Sequence, residues 1–207
     1  MNKSDPRYAA YLRILTEELI PAMGCTEPIS ISFCAAKARE LLGELPESIT
    51  VEASGNIIKN VKSVVVPNTG GRKGIETAAA VGVVAGDPSR ELEVIASVTP
   101  GQRGALSRSL EHTPIQVHPA DTDLVLDVTV TVGASGHTAA VRVANQHTNV
   151  VLLKRDDQVL FEAPAVGCGS GPAASPGRAL MDFGDIYDFA DTVDVGGVGP
   201  LLEREIP

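Results

Sequence analysis

Leu124-Val125-Leu126-Asp127-Val128-Thr129-Val130-Thr131-Val132, followed by Gly133-Ala134-Ser135-Gly136 and then by Thr138-Ala139-Ala140-Val141-Arg142-Val143, decides the fold. Val125, Leu126, Val128, Val130 and Val132 read as a strand with one side buried, and the glycine-bounded tetrapeptide after them reads as a hairpin turn. The pattern continues outward. Ile115 to His118 precedes this hairpin as a short strand; Asn149 to Leu153 follows it, and Val159 to Phe161 closes a second hairpin across Asp156-Asp157. Further back, Pro46 to Ala53 alternates Ile49, Val51 and Ala53 against Ser48, Thr50 and Glu52. Ser63 to Val66 is a short β-branched run ended by Pro67, and Leu92 to Val98 is expected to be a strand. The later strands are close enough in sequence to pair antiparallel.

Helical patterns interleave with these strands. Asp5-Pro6 opens the first, with Asp5 as cap, Pro6 in the first turn and Tyr8, Leu12, Leu15 and Leu19 on one face. Pro21 and Gly24 end it. A second runs from Thr26–Pro28 to Gly43 with Ile31, Cys34, Ala35, Ala38, Leu41 and Leu42 as its apolar stripe, which makes Cys34 a core residue. Gly55 to Asn60 is a turn or short helical segment, Ile75 to Val84 a helix with a thin face at Ala78, Ala79, Ala80 and Gly82, and Thr99-Pro100 opens a polar helix to Leu110. The fold class is therefore α/β or α+β, a mixed sheet with packed helices. Residues 1–162 are expected to form this domain and 163–181 a Gly/Ala/Pro-rich linker containing Cys168. Residues 182–207 are expected to begin a helical second domain, truncated or split, with an acidic amphipathic helix over Asp182 to Val193 and another from Pro200.

The composition narrows the partners. A net charge of −9 and a pI near 4.9 oppose a general nucleic-acid surface, and the absence of tryptophan with 3% aromatics leaves few platforms for stacking bases. No apolar run approaches the roughly 20 residues of a membrane helix, and the amino terminus lacks the order of a secretion signal. Three cysteines at spacings unlike a disulfide scaffold point to a reducing compartment, so the expected location is the cytoplasm.

Chemistry concentrates in Pro21-Ala22-Met23-Gly24-Cys25-Thr26-Glu27-Pro28, which sets a thiol, a hydroxyl and a carboxylate side by side at a helix entry. Unpaired N–H groups there favour a thiolate at Cys25, the form that binds metal or attacks carbon; a polar cap with a small buried cysteine is the other reading. Asn68-Thr69-Gly70-Gly71-Arg72-Lys73-Gly74 precedes a helix and can cradle a small carboxylate, or can be a surface turn. His112, His118 and His137 read as solvated. His147 differs, because Asn145-Gln146-His147-Thr148-Asn149 is a polar run between two strands where side chains can converge on a ligand or satisfy turn backbone. No HExxH, paired CxxC or GxSxG occurs.

Gly24-Cys25-Thr26-Glu27-Pro28, Asn56-Ile57-Ile58-Lys59-Asn60, Val66-Pro67-Asn68-Thr69-Gly70-Gly71 with Lys73-Gly74, and His147-Thr148-Asn149 together resemble the ordered motifs of the L-cysteine desulfidase family, itself similar to the iron–sulfur L-serine dehydratases. The resemblance implies the smaller, substrate-binding domain of those dehydratases and the amino-terminal part of a [4Fe–4S] lyase. Such an enzyme eliminates sulfide from L-cysteine, or water from L-serine, leaving pyruvate and ammonia. It assigns Cys25 to the cluster, with the remaining ligands on a helical domain or subunit outside this chain; Thr26, Glu27 and His147 to catalysis; and Asn56, Lys59, Asn60, Asn68, Thr69, Gly70, Thr148 and Asn149 to the amino-acid substrate. Homo-oligomers are compatible with it. The competing readings are a non-catalytic amino-acid-binding or regulatory domain and a structural subunit without a complete cluster.

Overall fold

The computed structural model describes residues 1–165 and 177–203. In order, the elements are α1 (Pro6–Glu18), α2 (Thr26–Leu42), β1 (Ser48–Ala53), α3 (Gly55–Val61), α4 (Ile75–Ala85), a 3₁₀ segment (Pro88–Glu93), α5 (Pro100–His112), β2 (Ile115–Pro119), β3 (Asp127–Ala134), β4 (His137–Ala144), β5 (Val150–Arg155), β6 (Gln158–Glu162), a second 3₁₀ turn (Arg178–Leu180), α6 (Phe183–Thr192) and α7 (Val195–Glu203). They divide into two compact units, Met23–Gly169 and Met1–Ala22 with Ser170–Pro207. Cys168 and most of the expected linker lie outside the described residues, as do positions 204–207.

In the larger unit the strands form one six-stranded mixed sheet, β2-β1-β3-β4-β5-β6, parallel between β1 and β2 and antiparallel elsewhere. The alternation in the sequence explains its buried face. Ile49, Val51 and Ala53 of β1 stand opposite Val132, Val130 and Val128 of β3, which stand opposite Ala139, Val141 and Val143 of β4, all buried. Helix α2 lies on β3 and β4. Cys34 is in that core, its thiol donating to the Val141 carbonyl at 3.0 Å, and burial pushes its pKa up to about 12. The thin face of α4 meets α2: a Cβ at Gly82 would sit 2.3 Å from the Ser32 carbonyl oxygen. Ser32 Oγ donates to the Ala78 carbonyl at 2.8 Å, and Arg39 caps the far end of α4 through the Val83 and Gly86 carbonyls.

In this unit three expectations change. Residues 92–98 form no strand: Val94, Ile95 and Val98 are buried, but the amide of Asn68 takes the Ile95 and Ala96 carbonyls that a neighbouring strand would need. Strand β3 begins at Asp127, three residues late, because Ser54 at the end of β1 takes the Val125 carbonyl with its hydroxyl and the Asp127 carbonyl with its N–H. The run 63–66 provides a single bridge, Val65 to Lys73.

In the smaller unit Asp5 caps α1, accepting from Arg7 N at 2.9 Å. The buried face is Tyr8, Tyr11 and Ile14 with Phe189 of α6, and Leu12 and Leu15 of the expected stripe are partly buried against it; both tyrosine rings meet Phe189 edge-on at 5.3 Å. Helix α7 starts at Val195, so Pro200 lies inside it instead of opening it. Among the described residues no helix is long and apolar enough to cross a membrane.

Candidate functional site

The amino terminus of α2 carries the chemistry. Gly24 turns the chain with φ +96, close beside Pro67, and Cys25 becomes the helix N-cap without a capping bond from its side chain. Its thiol instead donates to Glu27 Oε2 at 2.8 Å. The expected thiolate is therefore a neutral thiol. Burial, and then the Glu27 carboxylate beside it, push the Cys25 pKa up, while the same hydrogen bond holds Glu27 below its ordinary value. The carboxylate takes the anion-favouring place at the helix start that the sulfur was expected to occupy.

Asn60 of α3 donates to the other Glu27 oxygen at 3.3 Å. Thr26 points to the turn between β4 and β5, where its Oγ1 lies 3.0 Å from His147 Nε2. His147 is half-buried, and burial pushes its pKa down; the Glu27 charge pulls the other way more weakly. One turn further along α2, fully buried Ser30 donates to the His147 carbonyl at 2.7 Å. Cys25, Glu27 and Asn60 thus form one hydrogen-bonded group and Thr26 with His147 another, linked by the Glu27 field at His147.

The remaining candidates are spread around this centre. Asn56 and Lys59 are exposed on α3. Asn68 has φ 59 and commits its amide to the 95–96 backbone, and Thr69 is buried with its hydroxyl on the Val66 and Arg72 carbonyls. Gly70 supplies a positive φ to that loop. Thr148 is partly buried, and Asn149 donates to the Ala144 carbonyl at 2.9 Å, bracing the His147 turn. His112, His118 and His137 are exposed, the last paired with Asp156. Ser30 was not singled out by the sequence; its signal is the four-residue spacing from Thr26, which puts both hydroxyls on one face of α2.

A protein of Treponema denticola named UPF0597 protein is 41% identical to this chain over 206 residues, all of this chain and 48% of that protein. Proteins of the same name from Desulfitobacterium hafniense and Lachnoclostridium phytofermentans are 42% and 40% identical, over 100% and 96% of this chain and 47% of each relative. The chain spans about half the length of the curated relatives it matches. No family model matches it, and no solved structure does.

These relatives correct the resemblance. They bear the name UPF0597 protein, which states no activity, where an L-cysteine desulfidase or L-serine dehydratase was expected. The reading as the amino-terminal part of an iron–sulfur lyase is withdrawn with it. The donor set agrees with that correction: Cys25 is bonded to Glu27, Cys34 donates to core carbonyls, and among the described residues no three His, Cys, Asp or Glu side chains are grouped to hold a metal ion. Cys25 is the one ligand the resemblance assigned to this chain, and no chemical step is assigned to a cluster.

Proposed function

We propose that the start of α2, with Asn60 and His147, is an acid–base site for a small polar metabolite of amino-acid size, and that the chain belongs to a proton-transfer enzyme. The supporting observation is the juxtaposition of two proton-sharing pairs, Cys25 with Glu27 at 2.8 Å and Thr26 with His147 at 3.0 Å. Each pair joins a weak acid to a base within hydrogen-bond reach, the geometry that general acid–base catalysis needs. Burial keeps His147 unprotonated near neutral pH, so it can accept a proton; the Cys25 thiol keeps one to give. Asn60 orients Glu27 between these tasks. A reducing, cytoplasmic setting belongs to this reading and is supported by the free thiols of Cys25 and Cys34.

The test is a screen of amino acids and 2-hydroxy acids by amide NMR, followed by deuterium exchange at the α carbon of any ligand that binds. Binding should move the signals of residues 25–27, 60 and 147, and exchange should be lost in His147→Gln or Glu27→Gln. A ligand that binds there without exchange in the unaltered chain overturns the enzyme reading; signals that move elsewhere overturn the site.

A further inference from the structure

We propose that Ser30 is a positioning residue for His147: its hydroxyl ties the turn between β4 and β5 to α2 and so sets the imidazole against Thr26. This rests on the reading above only in taking His147 as a functional base.

The argument starts from the turn. It is shaped by its own bonds, Ala144 N to Asn149 O at 3.1 Å, Asn149 N to Gln146 O at 3.2 Å and the Asn149 amide to Ala144 O, and it is tied to Leu126 by Asn145 N at 3.0 Å. Asn145 holds φ 68 to allow it. None of these bonds sets the distance from His147 to α2. Two side-chain bonds do that, from Thr26 to the ring edge and from Ser30 to the backbone carbonyl. A single bond to a ring edge leaves the side-chain torsions of His147 free to carry the ring away, whereas a second bond at the backbone fixes the point from which the ring extends. Ser30 is 0% exposed and its hydroxyl makes a 2.7 Å contact, so the bond is held within the packed face of α2. Ser32, also buried on α2, provides the contrast: it bonds Pro28 and Ala78 carbonyls and serves the packing of α4.

Fixing the ring also selects its tautomer. With Nε2 held at 3.0 Å from the Thr26 hydroxyl, which can donate to it or accept from it, the fixed ring keeps one hydrogen-bonded arrangement, whereas a ring released into solvent exchanges both forms. The charged group facing the ring is Glu27.

The experiment is a long-range ¹H–¹⁵N spectrum of the ¹⁵N-histidine-labelled 207-residue chain at neutral pH, with His147 assigned through His147→Gln. The expected result is two widely separated ring-nitrogen shifts for His147 in the unaltered chain, convergence of the two in Ser30→Ala, recovery in Ser30→Thr and no change in Ser32→Ala. An unchanged His147 pattern in Ser30→Ala, or an equal change in Ser32→Ala, overturns the proposal. If Ser30→Ala does not fold, Thr26→Val tests the same clamp: the ring loses its partner, yet the nuclear Overhauser contacts of the residue 147–148 backbone to Ser30 must persist, and their loss overturns the proposal. These readouts need no ligand, so a failed metabolite screen and a failed clamp are separate results.

Discussion

Two influences act on the sulfur of Cys25 with opposite signs. The start of α2 favours an anion there, and the Glu27 carboxylate at 2.8 Å, together with burial, favours the neutral thiol. The second influence wins because the first-turn carboxylate is the stronger acid and already occupies the anion's place. Glu27→Gln removes the charge and leaves the burial, so the thiol becomes more acidic. In a chain carrying Cys168→Ser, iodoacetamide should label Cys25 faster at pH 7–8 when Glu27 is glutamine, with the midpoint of its pH profile moved down; an unchanged or higher midpoint contradicts the assignment. Cys34, buried against Val141, stays unlabelled in the folded chain and serves as the internal control. The sequence made the trio of thiol, hydroxyl and carboxylate plain, because the three are adjacent. It did not reveal which atom keeps the proton, since that depends on a side-chain rotamer, nor the part of Ser30, since a serine in an apolar helix gives no signal until the turn at residue 147 folds against it.

The elements place this site through the packing of α2. Gly82 lets α4 approach so closely that a methyl group would meet the Ser32 carbonyl at 2.3 Å and the Ala35 Cβ at 2.9 Å, contacts that only movement of α2 or α4 can relieve. Gly82→Ala should cost about 3 kcal/mol in urea unfolding, the upper part of the overpacking range, despite alanine's better helix propensity. The β3–β4 pair has its own lock: Arg142 grips Asp127 with two bonds of 2.8 and 2.6 Å, and the aspartate is 2% exposed. Arg142→Ala leaves that carboxylate buried and should cost about 3 kcal/mol, whereas replacing both residues by apolar ones should cost less. Most strands were legible because alternation at Ile49, Val51 and Ala53 and at Val128, Val130 and Val132 reports burial directly. Residues 92–98 were not, because Val94, Ile95 and Val98 have strand composition while their backbone is satisfied by the Asn68 side chain from distant sequence. The face of α1 was legible in part: Tyr8 is at its centre and Leu12 and Leu15 pack at its margin, but the partner is an aromatic ring, which brings in Tyr11 edge-on.

At the scale of the molecule, the two units are stabilised by different means, and this sets the order in which they fail. The larger has an extensive aliphatic core across α2, α4 and the sheet; the smaller has Tyr8, Tyr11, Ile14 and Phe189, supported by ion pairs of Arg7 with Asp5 and Asp185 and of Lys3 with Asp194. Arg7 holds the Asp5 carboxyl down to about 2 from an ordinary 3.8, and Lys3 holds Asp194 low as well. A depressed carboxyl contributes stability above its ordinary range and loses it as pH falls through its folded value, so the smaller unit weakens between pH 4 and 2. The larger unit has depressed carboxyls too, at Glu27, Asp87 and Asp156, but its core is large enough to survive their protonation. The chain supplies the probe: it has no tryptophan, and its tyrosines, 8, 11 and 187, all fall in the smaller unit. On acidification tyrosine emission should change first, while amide exchange in β3 and β4 stays slow. Phe189→Ala, at a cost of about 3–5 kcal/mol, should produce that emission change already at neutral pH with the sheet still protected. If emission and sheet exchange move together in both experiments, the two units unfold as one and the core of the larger does not stand without the aromatic cluster of the smaller.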